Sequence, residues 1–261
     1  MKEIDAKYRV LGIFPCTIHG QIPESWDDVT PVQLIAISNM ISMGQTQLKS
    51  LAEITSLPYR IIRKLSDFEI FNILQPLSFI SDYRPRNCFI LPTFGHLLAP
   101  RHKLENVTWG QFIYIEHYFD NIMAAEKIND DDLNNFITHL YLPKGEAFNH
   151  EDCVQRASSK PLTSASFNKK YAVVLNYRLI REWLATIYKL IFQKKLASRN
   201  PQQETSNQKP ATRNQKPGSW TSVHDQIVGD DIINREKYAD LNVHIVFRFL
   251  TKKIKENVRK R

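Results

Sequence analysis

Three groups of residues in this chain have the types that catalysis and metal binding use. Gly229-Asp230-Asp231 lies between Ile227-Val228 and Ile232-Ile233, and two carboxylates at the tip of an apolar hairpin can hold catalytic metal ions. His96 and His102 share a Pro-rich stretch with Asp82 upstream, a donor set that zinc accepts. Asp130, Asp131 and Asp132 form a carboxylate run suited to a hard cation. Spacing argues against all three. No second metal-binding motif precedes the Gly-Asp-Asp, no helix holds two of the His/His/Asp ligands four residues apart, and the Asp run lacks the glycine and terminal glutamate of a calcium loop. The plainer readings are a glycine helix stop followed by an Asp cap, histidines on a surface loop, and a helix cap. His117 and His139 fall on helices with no Ser or Cys nucleophile in a recognisable context. No glycine-rich phosphate loop is present among the eight glycines. The sequence therefore predicts no catalytic residue, no metal and no cofactor.

Charge is the stronger signal. The chain has 261 residues, a net charge of +8 and 43% hydrophobic residues, enough apolar side chains to bury a core. Residues 194–217 carry +5 and residues 244–261 carry +6, which leaves about −3 on the rest. The basicity belongs to two segments and points to an acidic partner. Lys252, Lys253, Lys255, Arg259, Lys260 and Arg261 fall within ten residues at the C-terminal end. They are the candidate contacts to a partner or to nucleic acid; a solvated, frayed helix end is the plainer reading. Cys16, Cys88 and Cys153 are odd in number and far apart, which predicts buried thiols in a reducing compartment. Met1-Lys2-Glu3-Ile4-Asp5 has no apolar signal core, so export is not expected. The run 171–192 is the most apolar, but Arg178, Arg181, Glu182 and Lys189 make it a soluble helix and not a membrane span.

The elements that would position these residues read as mainly α. Residues 1–25 suit two short strands or one hairpin. A helix follows from Thr30 to near Gly44, a second covers 45–55, and 58–80 holds two helical pieces, the second with a stripe of Ile70, Phe71, Leu74 and Leu77. Residues 81–105, with Pro85, Pro92, Gly95 and Pro100, read as loop with one strand and as the best internal boundary. Phe112, Ile115, Phe119 and Ile122 define a helix over 108–125, and Leu133, Phe136, Ile137 and Leu140 the next. Residues 167–195 form the longest helix. The stretch 197–217 has a disordered composition. Two helices carry Trp220, Val223, Ile227 and Val228, and Val243, Phe247, Leu250 and Ile254. The expected organisation is a helical domain with a small N-terminal β element over 1–196, a flexible basic linker over 197–217, and a C-terminal helical segment over 218–261 with a basic tail.

One motif occurs twice. Val29-Thr30-Pro31-Val32-Gln33-Leu34-Ile35-Ala36-Ile37 matches residues 107–115 at five of nine positions: Val107, Thr108, Gln111, Ile113 and Ile115. Thr30 and Thr108 are helix N-caps by residue type, and Gln33 and Gln111 stand where a capping box needs them. Trp26, Trp109, Trp183 and Trp220 each sit at or inside an apolar stripe, as core or docking anchors.

The stretch Ile22-Pro23-Glu24-Ser25-Trp26-Asp27-Asp28-Val29-Thr30-Pro31-Val32-Gln33 resembles a phrase near the start of small tailed-bacteriophage proteins. Asn106-Val107-Thr108-Trp109-Gly110-Gln111-Phe112 and Leu140-Tyr141-Leu142-Pro143-Lys144-Gly145 look like the same family, so the similarity covers roughly residues 22–145, plus a helical C-terminal end. Such proteins are regarded as tail-assembly or virion-assembly factors. The resemblance implies a non-enzymatic, chaperone-like assembly role in the cytoplasm of a bacterial host, through a protein partner such as a phage structural protein, without a membrane. A nucleic-acid-binding accessory protein using the basic linker and tail is the alternative.

Overall fold

The computed structural model describes residues 1–10, 14–44, 47–192 and 219–259. The linker 197–217, Lys260 and Arg261 lie outside the described residues. The chain opens with an antiparallel hairpin, β1 (Lys2–Val10) and β2 (Phe14–Ile22). Helices α1 (Pro31–Met43), α2 (Leu48–Thr55), α3 (Tyr59–Ile62) and α4 (Asp67–Leu74) follow. A small sheet joins β3 (Thr93–Phe94), β4 (Leu97–Leu98) and β5 (Leu142–Pro143). Between β4 and β5 come α5 (Trp109–Ala124) and α6 (Asp130–Leu140). After β5 come α7 (His150–Ala157), α8 (Lys160–Thr163) and α9 (Phe167–Ile187). The C-terminal helices are α10 (Trp220–Val228), α11 (Arg235–Ala239) and α12 (Val243–Arg259). The fold is mainly α, and among the described residues no helix is long and apolar enough to cross a membrane.

The repeated motif builds two helical hairpins in the same way. Thr30 caps α1, accepting from Gln33 N at 3.3 Å, while Gln33 Oε1 accepts from Thr30 N at 3.0 Å. Thr108 caps α5, accepting from Gln111 N at 3.2 Å. The two glutamines then reach across. Gln33 Nε2 donates to Ile54 O in the last turn of α2, and Gln111 Nε2 donates to His139 O in the last turn of α6, each at 2.8 Å. Last-turn carbonyls have no partner within their own helix. One glutamine thus ties the start of one helix to the end of the next. The expected capping box closes at Gln33 but not at Gln111. The backbone around Thr108 is instead paired with the start of α12: Trp109 N donates to Leu241 O at 2.7 Å and Val243 N to Val107 O at 3.1 Å.

The positions where the copies differ follow from that pairing. In the first copy Pro31 is exposed and Val32 is 59% exposed. In the second, Trp109 is buried, and a Cβ at Gly110 would stand 3.1 Å from Ala239 Cβ. Gly110 is thus what lets α11 approach α5 this closely. Helices α10 and α12 close over the same place: Phe112 meets Trp220 and Phe247 edge-on, with ring centroids 5.2 and 5.1 Å apart.

Helix α9 crosses both hairpins and is buried on most sides, from Ala172 to Leu184. The segment 81–105, expected to mark an internal boundary, is tied to it. Asn176 Oδ1 accepts from Leu91 N at 2.8 Å, Leu91 O accepts from the Tyr141 hydroxyl at 2.6 Å, and Ile90, Leu91, Phe94 and Leu97 are buried. Of the stripe expected on α4 and just after it, Ile70 and Leu74 are half-buried against the core and Leu77 is buried, whereas Phe71 is 59% exposed and its place on the buried face is taken by Ile73.

Replacing Gln111 with Ala strands a buried carbonyl and is expected to cost about 1–3 kcal/mol. Thr108→Ala removes one cap bond and should cost about 1 kcal/mol. Urea unfolding of the two variants measures both, and a neutral Gln111→Ala would contradict the docking role of the glutamine.

Candidate binding groove along the last helix

Asn242 starts α12. Its Oδ1 accepts from His244 N at 3.0 Å, and its Nδ2 donates to Glu105 O at 2.8 Å. Val243, Val246 and Phe247 are the buried face. With the helix anchored there, Arg248, Lys252, Lys255 and Arg259 follow at steps of four, three and four, which is one stripe along the helix. This stripe lines a groove of about 410 Å³ whose opposite wall is Ile187 and Tyr188 from the end of α9.

The groove has a fixed end. His244 Nε2 lies 2.6 Å from Lys103 O, an acceptor, so that nitrogen carries the proton. His244 Nδ1 then accepts from the Tyr188 hydroxyl at 2.8 Å, and Arg248 lines the groove beside the same side chain. Burial raises the Tyr188 pKa, with the nearby Arg248 guanidinium opposing it. Further along, Lys252 pairs loosely with Glu256 at 3.9 Å, while Lys255 and Arg259 have no carboxylate partner among the described residues.

The predicted cluster is thereby divided. Lys252, Lys255 and Arg259 line the groove. Lys253, one residue off the stripe, turns roughly 100° away, and its ammonium lies 4.7 Å from the Phe249 ring centroid. Lys260 and Arg261 are outside the described residues. Arg248, Tyr188 and His244 were not among the predicted contacts. Arg248 was legible as the residue four before Lys252, but Tyr188 and His244 meet across 56 residues of chain.

Several of the residues singled out for chemistry make structural bonds instead. Gly229 ends α10 with a positive φ, and the Asp231 carboxylate takes Asn234 Nδ2 and the Tyr238 hydroxyl. Asp230-Asp231 do not form a hairpin tip. Asn129 caps α6, and Asp130 additionally binds the buried Lys170 ammonium through both oxygens, at 2.7 and 2.8 Å. His96 sits in the β3–β4 turn and His102 in a short 3-10 turn; among the described residues no group of three His, Cys, Asp or Glu can hold a metal ion. All three cysteines are free thiols, but of the expected buried thiols only Cys153 is buried, Cys16 and Cys88 being half-buried; burial raises the Cys153 pKa, which keeps it protonated.

Two buried polar centres escaped the sequence reading. Glu116, fully buried on α5, accepts from the Tyr177 hydroxyl, from Arg181 Nε and from Trp220 Nε1, each at 2.9 Å. Burial disfavours the Arg181 charge, but Glu116 outweighs it and the pKa is raised; burial, then the Glu116 charge, raises Tyr177 well above the usual phenol. On α6, His139 Nδ1 lies 2.6 Å from Asn135 O and so carries a proton. Its Nε2 therefore accepts from His150 Nδ1 at 2.9 Å, and Tyr114 stacks on the His150 ring at 4.0 Å. Burial, with smaller repulsion from His150, Arg156 and His117, lowers the His139 pKa to about 4.

Comparison of the chain with protein-family models, with characterised proteins and with solved structures finds no match.

Because His139 is neutral when folded and titrates at its ordinary 6.5 when unfolded, the unfolded chain binds the extra proton between those values. Its contribution is complete above pH 6.5 and lost as the pH falls towards 4, about 3 kcal/mol in all. Urea unfolding across that range should show the decline, and His139→Gln should flatten it. An unchanged slope in the variant would contradict the assignment.

Proposed function

We propose that this chain is a non-enzymatic assembly factor of a tailed bacteriophage, acting through protein–protein contacts, with the groove beside α12 as its partner surface. The observation that carries the reading is the stripe Arg248, Lys252, Lys255 and Arg259, four cations on one helix face opening on a groove. Such a surface steers and orients an acidic partner. The resemblance of residues 22–145 to phage assembly proteins supplies the biological setting. The engagement of Glu116, Lys170 and His139 in structural bonds is consistent with binding as the activity. The second reading, a nucleic-acid-binding accessory protein, draws on the same stripe and on the basic linker.

Co-expression with the structural proteins encoded beside it tests the choice. The chain should co-purify with one of them, and removing residues 252–261, which takes away three of the four stripe cations, should remove most of that association and its salt sensitivity. Tight binding to random-sequence DNA at physiological salt, lost on the same truncation, would overturn the proposal in favour of the second reading.

A further inference from the structure

We propose that the groove takes an acidic helix of the partner, with carboxylates at positions i, i+4, i+7 and i+11 set against Arg248, Lys252, Lys255 and Arg259. This deepens the protein-partner reading and rests on it. The four cations span eleven residues, about 17 Å or three turns of α12. A second helix lying alongside repeats its side chains at the same intervals, so it can meet all four with one face.

Three features favour a helix over a phosphate chain. Glu256 stands within the groove; a nucleic-acid strand, with a charge at every step of about 3.4 Å, brings phosphates against it, whereas a helix can place a neutral or basic residue there. Tyr188 is only 8% exposed and is packed on Phe247 at 4.9 Å, so its ring is no platform for a base. Ile187, 53% exposed on the opposite wall, offers an apolar contact that an amphipathic helix can cover.

The test uses the full chain and labelled alanine-based helical peptides of about sixteen residues. One carries Glu at i, i+4, i+7 and i+11; a second has the same composition with the glutamates in one block; a third probe is single-stranded DNA of equal charge. The in-register peptide should bind at least about ten-fold tighter than the block peptide and the DNA at physiological salt. Lys255→Glu should remove most of that affinity, and Lys253→Glu, off the stripe, should leave it nearly intact; both side chains are exposed, so neither change disturbs the core. Equal affinity for the two peptides, tighter binding of the DNA, or equal losses in the two variants would overturn the proposal. The assembly reading is judged separately: a natural partner that still co-purifies while the peptides show no preference retires the helix proposal alone.

Discussion

The Glu116 carboxylate is the interaction on which the rest of the molecule depends. An ionised carboxylate without exposure to solvent survives only when its desolvation is offset by charge and hydrogen bonds. Here Arg181 supplies the charge, and Tyr177 and Trp220 supply further donors. These donors come from α9 and α10, so one buried group fixes the central helix, the motif helix α5 and the C-terminal segment together. Trp220 in turn packs edge-on against Trp109, and Phe247 of α12 closes the same cluster. Loss of Arg181 leaves a buried unpaired charge, a penalty of about 3–5 kcal/mol in comparable sites, and loss of the Tyr177 or Trp220 donor costs about 1–3 kcal/mol.

From that anchor the binding face follows. The aromatic cluster sets where α12 begins, the start of α12 sets which residues face the end of α9, and the Tyr188–His244 bond fixes their separation. The stripe is thus a consequence of core packing and not of the basic tail alone. The structure places the C-terminal helices against α5.

What was legible in the sequence was local. The caps at Thr30 and Thr108 depend on residues three apart, and the helices on periodic apolar spacing, so both were readable. The docking bonds of Gln33 and Gln111 join residues 21 and 28 apart and left no local trace. The substitution of Pro31-Val32 by Trp109-Gly110 was the visible sign that the second copy has an additional partner. A tryptophan and a glycine at those positions say that something packs there without saying what. Phe71 misled for a related reason: aromatic character suggested burial, but phase decides it. The charge of the tail was plain from composition, while the division between Lys253 and the stripe required knowing where the helix is anchored. Glu116 and the His139–His150 pair carried no signal, since single polar residues within apolar helices find their partners only in the folded chain.

The central claim is that the C-terminal helices and the core are one cooperative unit, with the groove rigidly mounted between α9 and α12. Native-state hydrogen exchange of the full chain tests it most directly. The account predicts that amides of α10 and of the first turns of α12 exchange with the same free energy and the same denaturant dependence as those of α5 and α9, opening only on global unfolding. Exchange of α10 and α12 through a separate opening of lower free energy, with α5 and α9 still protected, would contradict it.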